Sequence, residues 1–333
     1  MPPCTRRDSL SCWEKPAKGQ RMGERVKVAI IGAGITGITC ARALVAAGLT
    51  VTLFDKGRGI GGRLATRRTD AGLRFDHGAQ YLPASDPDFA ALLGGLVDAG
   101  DAAPWPETAG IVGTPGMVQI PRALAQGLDI RSGAMVTALR RHGAGWHLGG
   151  EGIDHHADRV VLAIPAPQAR DLLGGDHPLS GPLAQVRYRA NITVMVGLDL
   201  AAPRPFATHE GQDALAWVAQ DSAKPGRDDQ PLTTWVVQAA PDYSMNHIDL
   251  PFADLAQMIA PQLLDLLGAD PAHLHHAAAH RWLYSQTDRP LGQPFLAHDA
   301  AGLVVGGDWA LGPLVEHGWA SGRAMAAHLL ARA

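Results

Sequence analysis

A glycine-rich turn near the start of the chain constrains the fold more than any other feature. Residues 26–31 (VKVAII) are apolar and rich in β-branched side chains, which predicts a buried parallel strand. Gly32, Gly34 and Gly37 follow with the spacing G-x-G-x-x-G, and a helix is predicted from about Ile35 to Ala47. This order of strand, turn and helix is the setting in which the motif places a dinucleotide pyrophosphate at a helix N-terminus. A glycine-rich turn without a ligand is the alternative.

The residues that follow indicate which dinucleotide is bound. A second predicted strand ends at Asp55, where a carboxylate suits the hydroxyls of a ribose. Gly61, Gly62 and Arg63 come next, and binding of NAD does not require them. Two more glycines permit a second close approach of backbone to phosphate, and an arginine adds a fixed cation with several donors. This pattern favours a tightly held FAD.

Composition and charge exclude several classes of protein. The formal net charge is −3 over 333 residues, which gives no electrostatic case for nucleic-acid binding. No apolar run approaches the roughly 18 residues that a membrane span needs. Cysteines occur only at positions 4, 12 and 40, so no disulfide framework is visible and a cytoplasmic location is expected. Because no cysteine follows Cys40, a cysteinyl link to the flavin near the C-terminus is impossible.

The second half of the chain changes character. Residues 191–239 contain β-rich segments with hairpin-like gaps, and the polar segment DSAKPGRDDQP (221–231) between them is predicted to be a turn. Phe252 to Leu267 is predicted to be a helix. Residues 1–25 are polar, lack the apolar region of a signal peptide and are predicted to be disordered, with Met22 as an alternative natural start. The fold class is therefore α/β, and the predicted divisions are a tail (1–25), an FAD-binding domain (26–80, 113–168 and 278–333) and a mixed-sheet substrate or lid domain (81–112 and 169–277).

Two further segments are expected near the flavin. Gln80 and Tyr81, after a short strand, are predicted to lie beside the isoalloxazine ring, with a turn around a buried tyrosine as the alternative. Asp308 follows a strand and a glycine pair, so its carboxylate is expected to hold a ribityl hydroxyl or a phosphate-bound water. A helix beginning near His317 and Gly318 would direct its N–H groups at the N1–C2=O edge of the flavin, which gains negative charge on reduction.

Two groups of polar residues are predicted to bind no ligand. Arg67 and Arg68 are interpreted as solvated. The histidines between positions 273 and 280 match no trusted spacing of metal ligands and are interpreted as surface and packing residues, so no metal is expected; they are His273, His275, His276 and His280.

Motifs along the whole chain resemble one family. The segments are DKGRGIGGRLATRR, FDHGAQY, GTPGM, AIPAPQA, AHRWLYSQ and GGDWALGPLVEHGWASG, in this order. Together they resemble the renalase family within the flavin amine oxidase superfamily, over about residues 26–330. The resemblance implies a two-domain fold like that of p-hydroxybenzoate hydroxylase, with FAD bound non-covalently. It also implies oxidation of the 2- and 6-dihydro isomers of NADH and NADPH by FAD and O2, giving NAD(P)+ and H2O2.

The resemblance also implies residue roles. The glycine motif would line the pyrophosphate, Asp55 would hold the adenosine ribose, Arg63 would contact phosphate or ribose, and the backbone of Val136 would contact adenine. The cofactor-binding residues expected on this basis are Gly32, Gly34, Ile35, Thr36, Gly37, Asp55, Lys56, Gly62, Arg63, Leu64, Gln80, Tyr81, Val136, Asp308, His317 and Gly318.

The implied chemistry requires no acid–base residue. A dihydropyridine that loses hydride becomes an aromatic pyridinium, so no proton leaves carbon and no catalytic side chain is predicted. Four aromatic residues are expected as pocket walls, with core packing as the alternative for each: Trp282, Tyr284, Trp309 and Trp319. Pro313 and Leu314 depart from the family pattern, where glycine and arginine precede Val-Glu, and this departure bears on the substrate.

Three functions remain open from the sequence. The first is the oxidase of dihydronicotinamide isomers. The second is another flavin enzyme, such as an amine oxidase or a desaturase, although few tyrosines and phenylalanines are available for an aromatic cage. The third is a non-catalytic flavin-binding protein. The sequence does not indicate an oligomeric state or a preference between NADH and NADPH.

Overall fold

The computed structural model describes residues 25–332, so the predicted tail and Met22 lie outside the described residues except for Arg25. The helices are α1 (Ile35–Ala46), α2 (Pro87–Asp98), α3 (Gln119–Leu124), α4 (Ala166–Leu173), α5 (Ser180–Leu183), α6 (Pro241–Asn246), α7 (Phe252–Leu267) and α8 (Val315–Leu330). The strands are β1 (Lys27–Ile31), β2 (Thr50–Asp55), β3 (Thr66–Arg68), β4 (Arg74–Asp76), β5 (Ala102–Trp105), β6 (Gly110–Gly113), β7 (Asp129–Ser132), β8 (Val136–His142), β9 (Gly145–Gly150), β10 (Ile153–Ala157), β11 (Arg159–Leu162), β12 (Arg187–Leu198), β13 (Thr208–Glu210), β14 (Trp217–Gln220), β15 (Thr233–Gln238), β16 (Leu274–Arg289), β17 (Leu296–His298) and β18 (Leu303–Val305).

A largely parallel sheet carries the N-terminal glycine motif. Its strand order is β17-β18-β11-β1-β2-β7, and only β17 runs antiparallel to its neighbour. Side chains of β1 alternate between two cores: Ile30 packs with α1 and α8, whereas Ile31 packs with the sheet formed by β8, β9 and β10. Burial on both faces explains why this strand is apolar throughout. The predicted Rossmann-type α/β domain is confirmed.

Glycines let α8 pack closely against α1. A Cβ atom at Gly322 would lie 2.5 Å from the carbonyl oxygen of Thr36, and one at Gly318 would lie 2.9 Å from Ile35 Cγ2. Both distances are shorter than real contacts of Cβ atoms, so only glycine permits this approach. The start of α8 therefore lies beside the start of α1, although the two are almost 300 residues apart along the chain.

A second, antiparallel sheet has the order β13-β14-β15-β12-β16. One face packs against α7, where Val194 and Trp235 contact Ile259 in a common core. The opposite face carries Met195 and Val236, which pack against Phe75. The predicted helix over Phe252–Leu267 is confirmed with the same bounds. This sheet therefore presents one face to the segment that follows β4.

Four buried charges connect the hairpin of β3 and β4 to the antiparallel sheet. Asp76 at the end of β4 and Asp221 after β14 contact Lys224 and Arg227, and all four side chains are fully buried. Arg227 donates to Asp221 Oδ2 at 2.6 Å and to Asp76, while Lys224 Nζ lies 2.8 Å from Asp221 Oδ1. We refer to these residues as the four-charge cluster. The predicted polar turn over residues 221–231 is confirmed, but its charges at Asp221, Lys224 and Arg227 are buried, because they pair with one another and with the distant Asp76.

The proposed division into domains remains a prediction. Helix α2 and the hairpin of β5 and β6, which the sequence assigns to the second domain, contribute Phe89, Leu93 and Val112 to the same core as α1 and α8.

Candidate active site

Two of the three motif glycines are required by packing. Gly32 adopts φ 104°, and a Cβ atom there would lie 2.4 Å from the carbonyl oxygen of Ala163. A Cβ atom at Gly37 would lie 1.9 Å from the carbonyl oxygen of Gly32. Any side chain at either position would push the turn away from β1 and β11. These two glycines therefore fix the turn itself.

Gly34 has a different environment. It is the N-cap of α1, its φ is −80°, and a Cβ atom built on it meets no protein atom within 4 Å. No side chain in the described part of the chain caps this helix end, and the first helical bond runs from Ile38 N–H to the Gly34 carbonyl. Gly62 lies opposite, and a Cβ atom built on it would lie 3.7 Å from Gly34 Cα. This open cradle at the start of a helix, whose first N–H groups have no partner within the helix, fits the pyrophosphate of a dinucleotide.

Asp55 is held at the end of β2 by backbone donors. Its Oδ2 accepts a hydrogen bond from Ala33 N–H and its Oδ1 accepts one from Gly57 N–H, both at 2.7 Å. A carboxylate has about four acceptor positions, so two remain for the hydroxyls of a ribose. Ala134 N–H donates to the Asp55 carbonyl at 2.8 Å, which brings the start of β8, at Val136, to the same edge. Asp55 and Val136, which are predicted to bind the ribose and the adenine, are therefore neighbours.

Arg63 and Asp308 form a bidentate pair. Nη1 lies 2.8 Å from Oδ2, Nη2 lies 2.5 Å from Oδ1, and Nη1 also donates to the Ser285 carbonyl at 2.8 Å. Burial alone would lower the pKa of Arg63, but the charge and hydrogen bonds of Asp308 outweigh it and raise that pKa. Nearby Tyr188, whose hydroxyl accepts a hydrogen bond from Ala166 N–H, also has a raised pKa, chiefly through burial. The two predicted cofactor residues thus orient each other.

The remaining predicted cofactor residues occupy varied positions. Lys56 is exposed, Leu64 is buried in the core, and Gly318 contacts the first turn of α1. His317 Nδ1 accepts a hydrogen bond from Leu314 N–H at 3.1 Å, which fixes its ring at the start of α8. Pro313 and Leu314 are exposed immediately before this helix.

The side chain of Gln80 is fully engaged inside the protein. Its Nε2 donates to the carbonyls of Asp76 and Gly78, and its Oε1 accepts from Lys224 Nζ at 3.1 Å. Only the backbone at this position is free to contact a ligand. Tyr81 next to it is half-buried, and its ring centroid lies 5.9 Å from that of Trp217.

A row of side chains crosses the antiparallel sheet opposite this segment. The strand register pairs Trp217 with Gln238, Gln238 with Thr193, and Thr193 with His280. Gln238 Nε2 donates to the Gly78 carbonyl at 2.7 Å, so the row faces the residues that precede Tyr81. The surface formed by this row and residues 78–81 is the candidate substrate site.

His77, His280 and Trp282 form one wall of this site. The ring centroid of His77 lies 5.0 Å from that of His280 and 5.1 Å from that of Trp282. Trp282 Nε1 also donates a hydrogen bond to the His77 carbonyl oxygen at 2.7 Å. Burial, His280 and the charge of Arg67 lower the pKa of His77 to about 3. Burial and the charges of Arg67 and Arg281 also lower the pKa of His280. The wall is therefore aromatic and neutral, with cations beside it.

Two of the four predicted pocket aromatics are core residues. Trp282 lies in the wall, and Tyr284 is half-buried with its ring 5.2 Å from Tyr188. In contrast, Trp309 is 1% exposed and donates to the Ile164 carbonyl, and Trp319 packs against α2. The structure thus favours core packing, the alternative that the sequence left open, for Trp309 and Trp319, because partners that are distant in sequence cover both rings.

The four histidines between positions 273 and 280 do not come together at one site. His273 and His275 both contact Asp199 Oδ2, at 3.3 and 3.0 Å, whereas His276 stacks on Phe75 and His280 faces the substrate site. Asp199 is an acidic partner that the sequence did not indicate, because it lies on the neighbouring strand connection.

Several residues of the site were missed by sequence reasoning. His77 lies within the FDHGAQY motif and could have been recognised there. Trp217, Gln238 and Thr193 become neighbours only through strand register, and Lys224 gave no signal because a lysine after an aspartate usually marks a solvated turn.

Comparison with known proteins assigns the family. A family model described as flavin containing amine oxidoreductase matches residues 105–330, and one described as NAD(P)-binding Rossmann-like domain matches residues 30–96. The chain belongs to the flavin containing amine oxidoreductase family. It is an FAD-dependent oxidoreductase, and the open cradle at Gly34 together with Asp55 fits that cofactor. The predicted two-domain flavoprotein fold is confirmed.

Individual relatives of this flavin oxidoreductase share limited sequence with it. An L-glutamate oxidase precursor from Streptomyces diastatochromogenes is 43% identical over 79 residues, which span 22% of this chain and 12% of that protein. A solved structure assigned as a protoporphyrinogen oxidase from Exiguobacterium sp. 255-15 has a TM-score of 0.70 at 15% identity, covering 94% of this chain and all of that one. Putrescine oxidase bound to putrescine has a TM-score of 0.59 at 15% identity, covering 92% of this chain and 99% of that one. These structures share the fold.

None of the helices in the described part of the chain has the length and apolar character that crossing a membrane requires.

Proposed function

We propose that this oxidoreductase oxidises the 2- and 6-dihydro isomers of NADH and NADPH. The observation that carries the proposal is the aromatic wall of His77, His280 and Trp282, whose ring centroids lie 4.4 to 5.1 Å apart, with the charge of Arg67 acting on both imidazoles. A flat, uncharged dihydropyridine ring suits such a wall. The pyrophosphate of the same substrate suits the charge of Arg67, whereas a protonated amine would be repelled by it.

The residues of the chain position the reactants. Gly34, Gly62 and the first turn of α1 would hold the pyrophosphate of non-covalently bound FAD, and Asp55 would hold its ribose. Bound FAD supplies the hydride acceptor and passes two electrons to O2. The overall reaction is dihydronicotinamide isomer plus O2 plus a proton, giving NAD(P)+ and H2O2. The wall would hold the donor carbon in place and exclude water, and no side chain needs to remove a proton from carbon.

A second candidate is oxidation of an amine or desaturation of an apolar substrate. Tyr81 and Trp217 favour it, because their rings pack against each other with centroids 5.9 Å apart and offer an apolar aromatic surface at the edge of the site. In this case Arg67 would have no role in binding.

Anaerobic rapid mixing separates these functions. The flavin absorbance is followed after mixing with pure 4-dihydro-NADH, with NADH that contains the 2- and 6-dihydro isomers, and with a panel of amines. Bleaching that occurs rapidly with the isomers alone, and that air reverses with formation of H2O2, is the expected result. Rapid bleaching by an amine, or none with the isomers, would contradict the proposal.

Variants of neighbouring arginines provide a matched control. Arg67 and Arg68 are both exposed on β3, but the charge of Arg67 acts on His77 and His280. We expect Arg67→Gln to raise the concentration of isomer needed for half-maximal bleaching, and Arg68→Gln to leave it unchanged.

A further inference from the structure

The outer face of a small antiparallel sheet carries a cluster of side chains that the proposed reaction does not use. Strands β10, β9 and β8 form this sheet in that order. Its inner face, with Trp146, Leu148 and Ala157, packs into the core under the parallel sheet. Because side chains alternate along a strand, the residues between these face outward. The outer face carries His142, His147, Asp154 and His156.

Strand register brings these four residues together. His147 on β9 is directly opposite His156 on β10, Asp154 is opposite Gly149, and His142 on β8 is opposite Gly145. The two glycines flank His147 along its strand and leave the surface beside its ring open. The polar groups therefore project into one shared space above the sheet.

Distances within the cluster are short. His147 Nε2 lies 2.6 Å from Asp154 Oδ1, and the ring centroid of His156 lies 4.8 Å from those of both His142 and His147. One ligand atom from each of His147, Asp154 and His156 lies within 4.8 Å of the others. Donors around a tetrahedral zinc ion are roughly 3.4 Å apart, given metal–ligand distances near 2.1 Å. Small rotations of these partly exposed side chains would bring their ligand atoms from within 4.8 Å of one another to that spacing.

The geometry points to a binding site for a divalent transition-metal ion, Zn2+ in particular, held by His147, Asp154 and His156. Two imidazole nitrogens and a carboxylate oxygen form a ligand set that suits Zn2+, Ni2+ and Cu2+ rather than Ca2+ or Mg2+. His142 or a water molecule would supply the fourth ligand. Arg140, which is opposite His147 on β8, is the cation on the same face and would have to turn into solvent.

The position of this site on the outer face of the small sheet indicates a structural role for the ion. It is separated from the flavin chemistry by the parallel sheet, so it would take no part in electron transfer. It would cross-link β9 to β10 and, through His142, to β8, whose first residue is Val136 at the edge beside Asp55. A bound ion would therefore stabilise the strands that border the predicted adenine site.

A second His/Asp group in the chain serves as a matched control. Asp199, His273 and His275 have the same residue types and similar exposure, and both imidazoles contact one oxygen of the carboxylate. Among the described residues, however, only the group of His147, Asp154 and His156 has ligand atoms that all converge within 4.8 Å. The two groups thus differ in geometry and not in chemistry.

The test measures metal binding by the full-length flavoprotein after removal of any histidine tag and treatment with EDTA. Calorimetric titration with ZnCl2 is performed on the wild type, on H147A/H156A and on H273A/H275A. The visible spectrum of added Co2+ reports the ligand geometry. We expect one Zn2+ per chain, at least about tenfold weaker binding in H147A/H156A, which corresponds to about 1.4 kcal/mol, and unchanged binding in H273A/H275A.

Thermal unfolding and the single substitution Asp154→Asn complete the test. Zn2+ should raise the unfolding temperature of the wild type and of H273A/H275A but not of H147A/H156A. Asp154→Asn, on an exposed side chain, should weaken binding without altering unfolding in EDTA. Equal affinity in the wild type and H147A/H156A, or no stoichiometric binding by the wild type, would overturn the proposal, whatever the oxidase assay shows.

Discussion

Arg63 and Asp308 are 245 residues apart along the chain, yet they form two parallel hydrogen bonds between the guanidinium and the carboxylate. The arginine follows the second glycine pair, and the aspartate follows the last parallel strand. The pair therefore joins the first and last segments that are predicted to bind FAD. The Ser285 carbonyl, which accepts a third bond from Arg63, extends this connection to the antiparallel sheet.

Replacing Arg63 with lysine should weaken FAD binding. Lysine keeps the charge but cannot form the two parallel bonds to Asp308, so both residues lose their fixed orientation. We expect the FAD dissociation constant to rise at least about tenfold, a change of about 1.4 kcal/mol. Fluorescence titration of the apoprotein with FAD measures it. Arg68→Lys on the exposed strand is the control, and an equal effect in both variants would contradict a specific role for Arg63.

Alanine substitutions at two motif glycines should have opposite consequences. At Gly34 a Cβ atom meets no protein atom within 4 Å and φ is −80°, so Gly34→Ala should fold normally but hinder the approach of the pyrophosphate. At Gly37 the Cβ atom would lie 1.9 Å from the Gly32 carbonyl oxygen, so Gly37→Ala should destabilise the protein itself. Thermal unfolding of both apoproteins and their FAD content distinguish these effects. A normal FAD content in Gly34→Ala would argue against the cradle.

Removing one cation from the four-charge cluster should be strongly destabilising. Arg227→Met leaves the buried carboxylates of Asp76 and Asp221 with one compensating cation instead of two. Breaking a buried ion pair in this way costs about 3–5 kcal/mol. Urea unfolding of the variant measures the loss, with the exposed substitution Arg187→Met as the control. A loss below about 1 kcal/mol would show that the cluster contributes little to stability.

The same cluster predicts loss of stability in acid. Burial raises the pKa of Asp221, but the charges of Arg227 and Lys224 outweigh it and leave that pKa below its ordinary value. The carboxylate therefore contributes stability above the unfolded pKa of about 3.9, and this contribution is lost as the pH falls through the lower folded value. Unfolding measured below about pH 4 should show this dependence, and Asp221→Asn should reduce it.

His77 predicts a separate pH dependence at higher values. Its folded pKa of about 3 lies well below the ordinary value of 6.5, so the unfolded chain binds a proton first as the pH falls. Stability should therefore decrease between about pH 6.5 and pH 3, by up to about 1.4 kcal/mol per pH unit from this group. His77→Asn should have a shallower profile over that range. Identical slopes for the variant and the wild type would show that His77 does not remain neutral when folded.

The helices and strands that the sequence predicts correctly are those whose periodicity and end residues lie within one short stretch of the chain. The strand, glycine turn and helix at residues 26–47 and the helix at Phe252–Leu267 could be recognised because their periodicity and end signals are contiguous. The burial of Lys224 could not be predicted, since its partner Asp76 lies almost 150 residues away. Trp319 was assigned to the pocket for the same reason, because Phe89 covers it only after α2 docks on α8.

The order of strands in the parallel sheet also bears on how the protein matures during synthesis. Strand β1, which carries the glycine motif, is bordered by β11, and β11 in turn is bordered by β18 from near the other end of the described chain. Helix α8 then covers the first turn of α1 through Gly318 and Gly322. The glycine motif thus stays incomplete until β18 and α8 have been synthesised. We therefore expect cofactor capture to follow synthesis of these elements, and nascent chains that stall before residue 300 to emerge without flavin.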